Sequence, residues 1–568
     1  MADADRLKVV LCWHMHQPQY RDQVSDVYRL PWTYLHTIKD YVDMAAHLEA
    51  VPGARAVVNF APLLLEQIED YARQVDGFLN ASLAIRDPLL AALVSPALPS
   101  SDDQRMTLIK ECLRANETRV IARFPAYRRL ADMAAWVVPH PESMRYLSNQ
   151  FLADLLAWYH LAWLGETVRR GDARVRRLLD KETGYSLHDR RELLSVIGEL
   201  LSNVISRYAH LAARGQVELS VTPYAHPILP LLLDFQSARE AMPEAPLPLL
   251  ERYPGGEERV RWHIREGLET FRRHFGFVPA GCWPSEGAVS TASLKLLAEA
   301  GFRWAASGES VLRNSLAQSG HAEHGAKEAW LYRLYSVADS GMNCFFRDDG
   351  LSDLIGFTYA SWHGDDAVNN LVHHLENISR TCRGHPDHVV SIIMDGENAW
   401  EHYPENAYYF LSTLYRRLSE HPQIELTTFA DCLKTVAVKS LRALTTGSWV
   451  YGTLSTWIGE PDKNRGWDML GNAKRAFDVA AGHLGPEQLE RARRQLAVCE
   501  GSDWFWWFGG DNPVGTVADF EQLYRQHLTN LYQLLGLEPP EYLAQVFTRG
   551  GGVPQHGGTM RPGQISTA

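Results

Sequence analysis

Short apolar runs alternate with longer amphipathic stretches along most of this chain. Residues 9–13 (VVLCW) are apolar at every position, as a strand buried on both faces of a sheet must be. Residues 56–60 (AVVNF) repeat the pattern and lead into LLLEQIEDYARQ, whose apolar positions recur at helical spacing. A long, mostly helical stretch at 100–214 reads as an insertion before the third strand, 216–222 (QVELSVT). Further strands are expected at 281–283, 302–306, 354–359, 389–394 and 424–428.

The stretch from Pro279 to Ser307 shows the repeating unit. A strand ends at Trp283, a loop carries Pro284, Ser285 and Glu286, and a helix follows with Ser290 or Thr291 as its N-cap. Gly301 suits the left-handed residue that ends such a helix, and Phe302 begins the next strand. Strand–loop–helix–strand units imply parallel strands. Repeated this often, they predict an α/β fold closed into a (β/α) barrel, with a doubly wound open sheet as the alternative. The barrel is assigned to residues 1–439. Beyond it the strand pattern fades, and helical periodicity marks 440–548 as a C-terminal helical domain. The Gly/Pro-rich stretch 549–568 is expected to be a flexible tail.

Composition narrows the function more by exclusion than by assignment. A net charge of -12 argues against a nucleic-acid partner, which asks for a positive face. No run reaches the roughly 18 apolar residues of a membrane span, and the first residues lack the pattern of a secretory signal. The 7 cysteines lie far apart without a C-x-x-C pair, which fits reduced thiols. A cytoplasmic protein without membrane partners is the expectation.

On a (β/α) barrel, chemistry sits in the loops after the strands. Four polar clusters fall there by this reading: His14, His16 and Gln17; Glu218; Trp283 with Glu286; and Asp395 with Glu397. Breaking a glycosidic bond takes two carboxyl groups, one protonating the leaving oxygen and one attacking carbon or activating water. Glu286 and Asp395 suit that pair, with Trp283 offering a face to a sugar ring and Gly396 letting the chain approach substrate. Taken singly, each acid has an ordinary alternative. Glu286 can be an acid favoured by a helix dipole, and Asp395-Gly396 a turn.

The motifs HMHQP, QVELSVTPYAHPILPLL, GCWPSEGA and IIMDGENAWEHY, in this order, resemble the first four sequence motifs of glycoside hydrolase family 57. The segments FFRDDGLSDLIGFTY, WIGEPDKNRGWDML and EGSDWFWWFGGDN look like its α-amylase/amylopullulanase branch. The resemblance implies an incomplete (β/α)7 barrel followed by a helical domain, a retaining mechanism, and an α-glucan or maltooligosaccharide substrate. It implies Glu286 as nucleophile and Asp395 as general acid/base. His14, His16 and Gln17 then match substrate-contacting residues, and Glu218 the acidic residue of the second motif. One departure is Trp400, where many members carry glycine.

His14 and His16, alternate residues on a strand, share a face and invite a metal reading. Hydrogen bonding to sugar hydroxyls is preferred, and neither metal nor cofactor is expected. Trp457 and Trp504, with Asp503, read as a flap of the substrate cleft, packing against the barrel being the alternative. Arg347 and Asp353 can position substrate or form a structural ion pair, and Trp362 and His363 are placed at a strand end lining the cleft. The competing functions are a 4-α-glucanotransferase or branching enzyme, a metal-dependent deacetylase and an inactive glucan-binding protein.

Overall fold

The computed structural model describes residues 6–320, 327–383, 387–552 and 559–564. Its main sheet has ten strands, numbered here in chain order. They are β1 (Leu7–Met15), β2 (Ala56–Phe60), β3 (Val217–Val221), β4 (Gly281–Cys282), β5 (Trp304–Ser307), β6 (Leu334–Val337), β7 (Met342–Phe346), β8 (Val389–Asp395), β9 (Ile424–Leu426) and β10 (Val438–Leu441).

Seven of these form the barrel. β8, β1, β2, β3, β4, β5 and β7 are neighbours in that order, each pair parallel. The ring closes through a single bridge, Arg347 to Ser391, where the chain leaving β7 touches β8. The amide of Asp348 donates to the Ser391 carbonyl at 2.8 Å and secures that seam. β6 and β10 extend the sheet beyond β7, and β9 pairs with the start of β1. The barrel strands are buried along almost their whole length, which is why they read as continuous apolar runs.

One expected strand is not a strand. Residues 354–359 form a π turn (Leu354–Thr358) running into a 3₁₀ turn (Tyr359–Ser361). Asp348 caps the preceding turn by accepting from the Leu351 amide, so the chain is already helical when the apolar run begins. Ile355 and Tyr359, four apart, are fully buried while Phe357 is exposed, a helical spacing hidden in a run too short to distinguish the two periods. Strands β6, β7 and β10 were not expected at all.

Helices fill the long connection from Pro62 to Ala213, and four more follow the sheet: Pro461–Ala480, Pro486–Cys499, Ser502–Trp507 and Val514–Leu534. These pack into the large apolar cluster that takes in Val9, Leu11 and Trp13 of β1, while the alternate residues Val10 and Cys12 belong to a second cluster with Val57, Trp283 and Phe345. The Val514–Leu534 helix also bonds the first loop of the chain, Asn530 donating to Asp22 at 2.8 Å. Residues 559–564, expected to be a flexible tail, lie packed: the Gly563 amide donates to Asp353 and its carbonyl accepts from the Tyr451 amide, each at 3.0 Å. All seven cysteines are buried and free. Among the described residues no helix is long and apolar enough to cross a membrane.

Candidate active site

The strand ends set the site. In the β1–β8 register His14 lies opposite Asp395, and in the β1–β2 register it lies opposite Asn59. Gly396 follows at once, its amide donating to the His14 carbonyl at 2.7 Å. A side chain there would drive into Met15, so this glycine serves a backbone crossing between strands rather than an approach to substrate.

Glu286 follows β4 in a tight turn and takes a left-handed conformation, φ 57° and ψ 24°, uncommon for a residue with a side chain. Trp449 holds it in place twice. Its amide donates to the Glu286 carbonyl at 3.1 Å, and its indole Nε1 donates to Oε2 at 3.0 Å. Behind that carboxyl runs a line of polar groups. Ser502 bonds both Glu286 and His226, the latter at 2.7 Å; His226 meets His14 at 3.1 Å; and His14 meets Asn59 at 2.7 Å. Burial and the neighbouring imidazoles hold His226 well below the usual histidine range and bring His14 down to about 3. Both rings are therefore neutral, with one donor and one acceptor nitrogen each.

Asp395 is part-buried at the end of β8 and accepts from Asn398 at 3.0 Å. Burial lifts its carboxyl to about 6, while Asn398, His16 and Arg347 oppose the rise. Burial likewise pushes Glu286 upward, with the Asp395 and Asp503 charges adding and the Trp449 and Ser502 donors opposing. The Asp395 charge thus adds to burial in raising the affinity of Glu286 for a proton. His16 completes the rim, its Nε2 2.8 Å from Asp503. The side chains of Glu286, His16 and Asp503 are 12%, 10% and 13% exposed, so each of the three reaches solvent.

His14, His16 and His226 bring nitrogens within 4.8 Å of one another, the only set among the described residues close enough to hold a metal ion. Their rings stack, however. His16 lies flat on His226 with centroids 3.9 Å apart and an interplanar angle of 15°. Its lone pairs run beside those of His226 rather than toward a shared point, so the set presents two facing nitrogens instead of the converging ligands zinc requires.

The other expected site residues divide. Gln17 is buried beside Tyr20, whose hydroxyl donates to it at 3.0 Å. Glu397 is buried next to Asp395, its carboxyl raised first by burial and then by that neighbour, and its Oε2 has no hydrogen-bond partner among the described residues. Arg347 forms the structural ion pair rather than a free arm. It bonds Asp349 at 2.6 Å, Asp353 at 2.7 Å and the Ile393 carbonyl at 2.8 Å, with its guanidinium over the Trp449 ring. Trp362 and His363 are exposed, but they follow the 3₁₀ turn rather than a strand end.

Four placements correct the sequence reading. Glu218 sits near the start of β3, at the opposite end of the barrel, accepting from Trp304 and the Ala430 amide at 2.8 Å each. Strand residues alternate faces and advance about 3.3 Å apiece, so Glu218 lies more than 10 Å below the Thr222 level. Trp283 is fully buried edge-to-face against Trp449 and offers no face to a sugar. Trp457 and Trp504 are core residues, the first packed on Trp506 and the second donating to the Val498 carbonyl. Trp400 is also core: it packs on Trp13 and donates to the Gly396 carbonyl, filling the space behind Asp395.

Sequence reasoning missed His226, Ser502, Trp449, Asn398 and Asn59. His226 and Ser502 stood inside motifs already singled out, beside residues that drew more notice. Trp449 lies in a segment without periodicity and gave no signal.

The sequence profile of glycosyl hydrolase family 57 matches residues 10–445, well over half of the chain. Solved structures share the fold at low identity. A family 57 branching enzyme from Thermococcus kodakaraensis superposes with a TM-score of 0.57 at 15% identity, covering 93% of this chain and 90% of that one. The α-amylase AmyC from Thermotoga maritima gives 0.54 at 14%, covering 95% and 96%. A 4-α-glucanotransferase from Thermococcus litoralis gives 0.53 at 14%, covering 94% of this chain and 61% of that one. The chain, with its seven-stranded barrel and helical region, belongs to glycosyl hydrolase family 57.

Proposed function

We propose that this protein is a retaining glycoside hydrolase of α-glucans, of amylase or amylopullulanase type, with Glu286 as nucleophile and Asp395 as general acid/base. One observation carries the reading: two acids delivered by different strand ends flank one histidine cluster, Asp395 opposite His14 in the sheet register and Glu286 3.9 Å from His226. Glu286 is bonded by Trp449 and Ser502, which oppose the rise that burial and the Asp395 charge impose on its carboxyl. Asp395 has one donor and a carboxyl lifted to about 6, which favours the acid.

In the first step the Glu286 carboxylate attacks the anomeric carbon. Asp395 gives its proton to the glycosidic oxygen, and the sugar leaving group departs. The glycosyl ester on Glu286 is then attacked by water as Asp395 takes that water's proton, restoring both acids. His16, Gln17, Glu397 and Asp503 supply donors and acceptors for hydroxyls of the reacting sugar, and His14, whose two nitrogens are engaged by Asn59 and His226, positions that imidazole pair. The exposed Trp362 and His363 serve outer subsites.

Transfer to a sugar hydroxyl instead of water is the second reading, favoured by the fold likeness to a branching enzyme and a 4-α-glucanotransferase. Incubation with maltooligosaccharides separates the two. New reducing ends without longer products are expected; longer or branched chains at constant reducing ends would replace hydrolysis with transfer.

A further inference from the structure

Residues 559–564 return to the end of the barrel that carries Glu286. The chain is tied at Asn512, whose carbonyl accepts from the amides of Gly551 and Gly552 at 3.1 Å each, and it meets the same residue again at Arg561. From there the segment makes two separate contacts. The Arg561 guanidinium lies 5.1 Å over the Trp506 ring, and Trp506 is one helical turn from Asp503. Gly563 is clasped between the Asp353 carboxylate and the Tyr451 amide. Its fit is tight: a Cβ there would fall 2.4 Å from the Asp349 carboxyl carbon and 2.7 Å from Arg347 Nη1. Arg347 stacks on Trp449, and Trp449 bonds Glu286. One residue therefore separates the Gly563 seat from the nucleophile's own clamp.

What the segment covers has the chemistry of a sugar subsite: an indole face, a carboxylate acceptor and a backbone amide donor. An apolar pyranose face would take the place of Arg561, and hydroxyls the places of the Gly563 amide and carbonyl. Among the described residues the polar contacts in the way are the two hydrogen bonds of the Gly563 backbone, a cation–π contact and one 3.4 Å bond to Asn512, with Met560 packed against the core beside them, few enough for a ligand to exchange. We propose that segment 559–564 occupies an outer glucan subsite bounded by Trp506, Asp353 and Tyr451, and that long glucans bind by displacing it.

This inference rests on the α-glucan reading above. A segment seated roughly 90% of the time raises the apparent dissociation constant of a competing ligand about tenfold. The test compares the full chain, a chain ending at Gly552 and the full-length Gly563→Val variant, whose side chain cannot enter the seat. KM is measured on maltotriose and on maltoheptaose, and maltoheptaose binding is measured by calorimetry with Glu286→Gln added to each. Both altered chains should show KM and Kd for maltoheptaose lowered about tenfold, with KM for maltotriose unchanged. The hexapeptide Thr-Met-Arg-Pro-Gly-Gln should raise KM for maltoheptaose in the shortened chain. Equal constants for all three chains, or weaker maltoheptaose binding once the segment is gone, overturn the competition while leaving the hydrolase reading intact. No binding and no turnover of either sugar in any chain would instead sink the α-glucan reading.

Discussion

Trp449 grips Glu286 through main chain and ring together, which fixes a carboxyl that the backbone alone would hold in an uncommon conformation. A hydrogen bond to a charged group contributes about 1.5–3 kcal/mol. Trp449→Phe should therefore lower kcat/KM by roughly 10- to 150-fold at one decade per 1.4 kcal/mol, and shift the acid limb of the pH profile upward as the nucleophile becomes harder to ionise. A profile that drops without moving would assign Trp449 to packing alone. The two acids separate by substrate. Glu286→Ala and Asp395→Ala should each remove nearly all turnover of maltooligosaccharides, the general acid alone being worth about 10²–10⁴-fold. An aryl glycoside whose leaving group needs no proton should recover its first step in Asp395→Ala but not in Glu286→Ala; recovery in the wrong variant reverses the roles. With its carboxyl raised to about 6, Asp395 is the acid below that pH, so kcat/KM should fall as pH rises through it. The same shift bears on stability. A carboxyl raised on folding stabilises below its ordinary pKa and loses that contribution as pH climbs toward 6, so Asp395→Asn should melt higher than the parent at neutral pH.

At the scale of elements, the residues that complete the site arrive on a short helix whose position depends on one buried acid. Glu500, two residues before Ser502, accepts from Tyr253 at 2.6 Å, from His263 at 2.7 Å and from Arg259 at 2.8 Å. It ties the Pro486–Cys499 helix to the Gly256–Phe275 helix. Burial works against its charge, but Arg259 and His263 outweigh it and bring the carboxyl down to about 2. Breaking such a buried pair costs about 3–5 kcal/mol, so Glu500→Ala should lower the urea midpoint accordingly and loosen Ser502 and Asp503 from Glu286 and His16. A carboxyl depressed on folding stabilises above its ordinary pKa, so this contribution should vanish as pH falls from about 4.5 to about 2. An unfolding free energy in Glu500→Ala that matches the parent at pH 6 would show the clamp to be idle. The sequence reveals none of this, because Glu500 reads as one more acid at a helix end. What it does reveal follows a physical rule. Strands buried on both faces, such as β1 and β8, appear as unbroken apolar runs, whereas the run at 354–359 was too short for its helical spacing to show. The acids at strand ends were visible for the same reason, since the strand beneath each marks where the loop begins.

Across the whole molecule, the chain brings together groups that no local pattern connects. His226 and Ser502 touch although 276 positions separate them, and His16 and Asp503 although 487 do. That is why Glu286 and Asp395 stood out in the sequence while the groups that bond to them did not. The family match ends at 445, yet Trp449, Ser502 and Asp503 all come after it. A barrel ending there would lack the Glu286 clamp and half of the polar rim. It would also expose the surface now covered by Trp504, Phe505, Trp506 and Trp507, all buried in the shared core. The bond from His527 to the Gln19 carbonyl, at 3.1 Å, joins the late helices to the loop after β1. Helices that share one core with a barrel unfold with it. Calorimetry of the full chain should therefore give a single cooperative transition, and a chain ending at 445 should be insoluble or inactive. Two resolved transitions, with a soluble barrel that still turns over maltooligosaccharides, would mean that the late helices are an appendage and that the slot is complete without them.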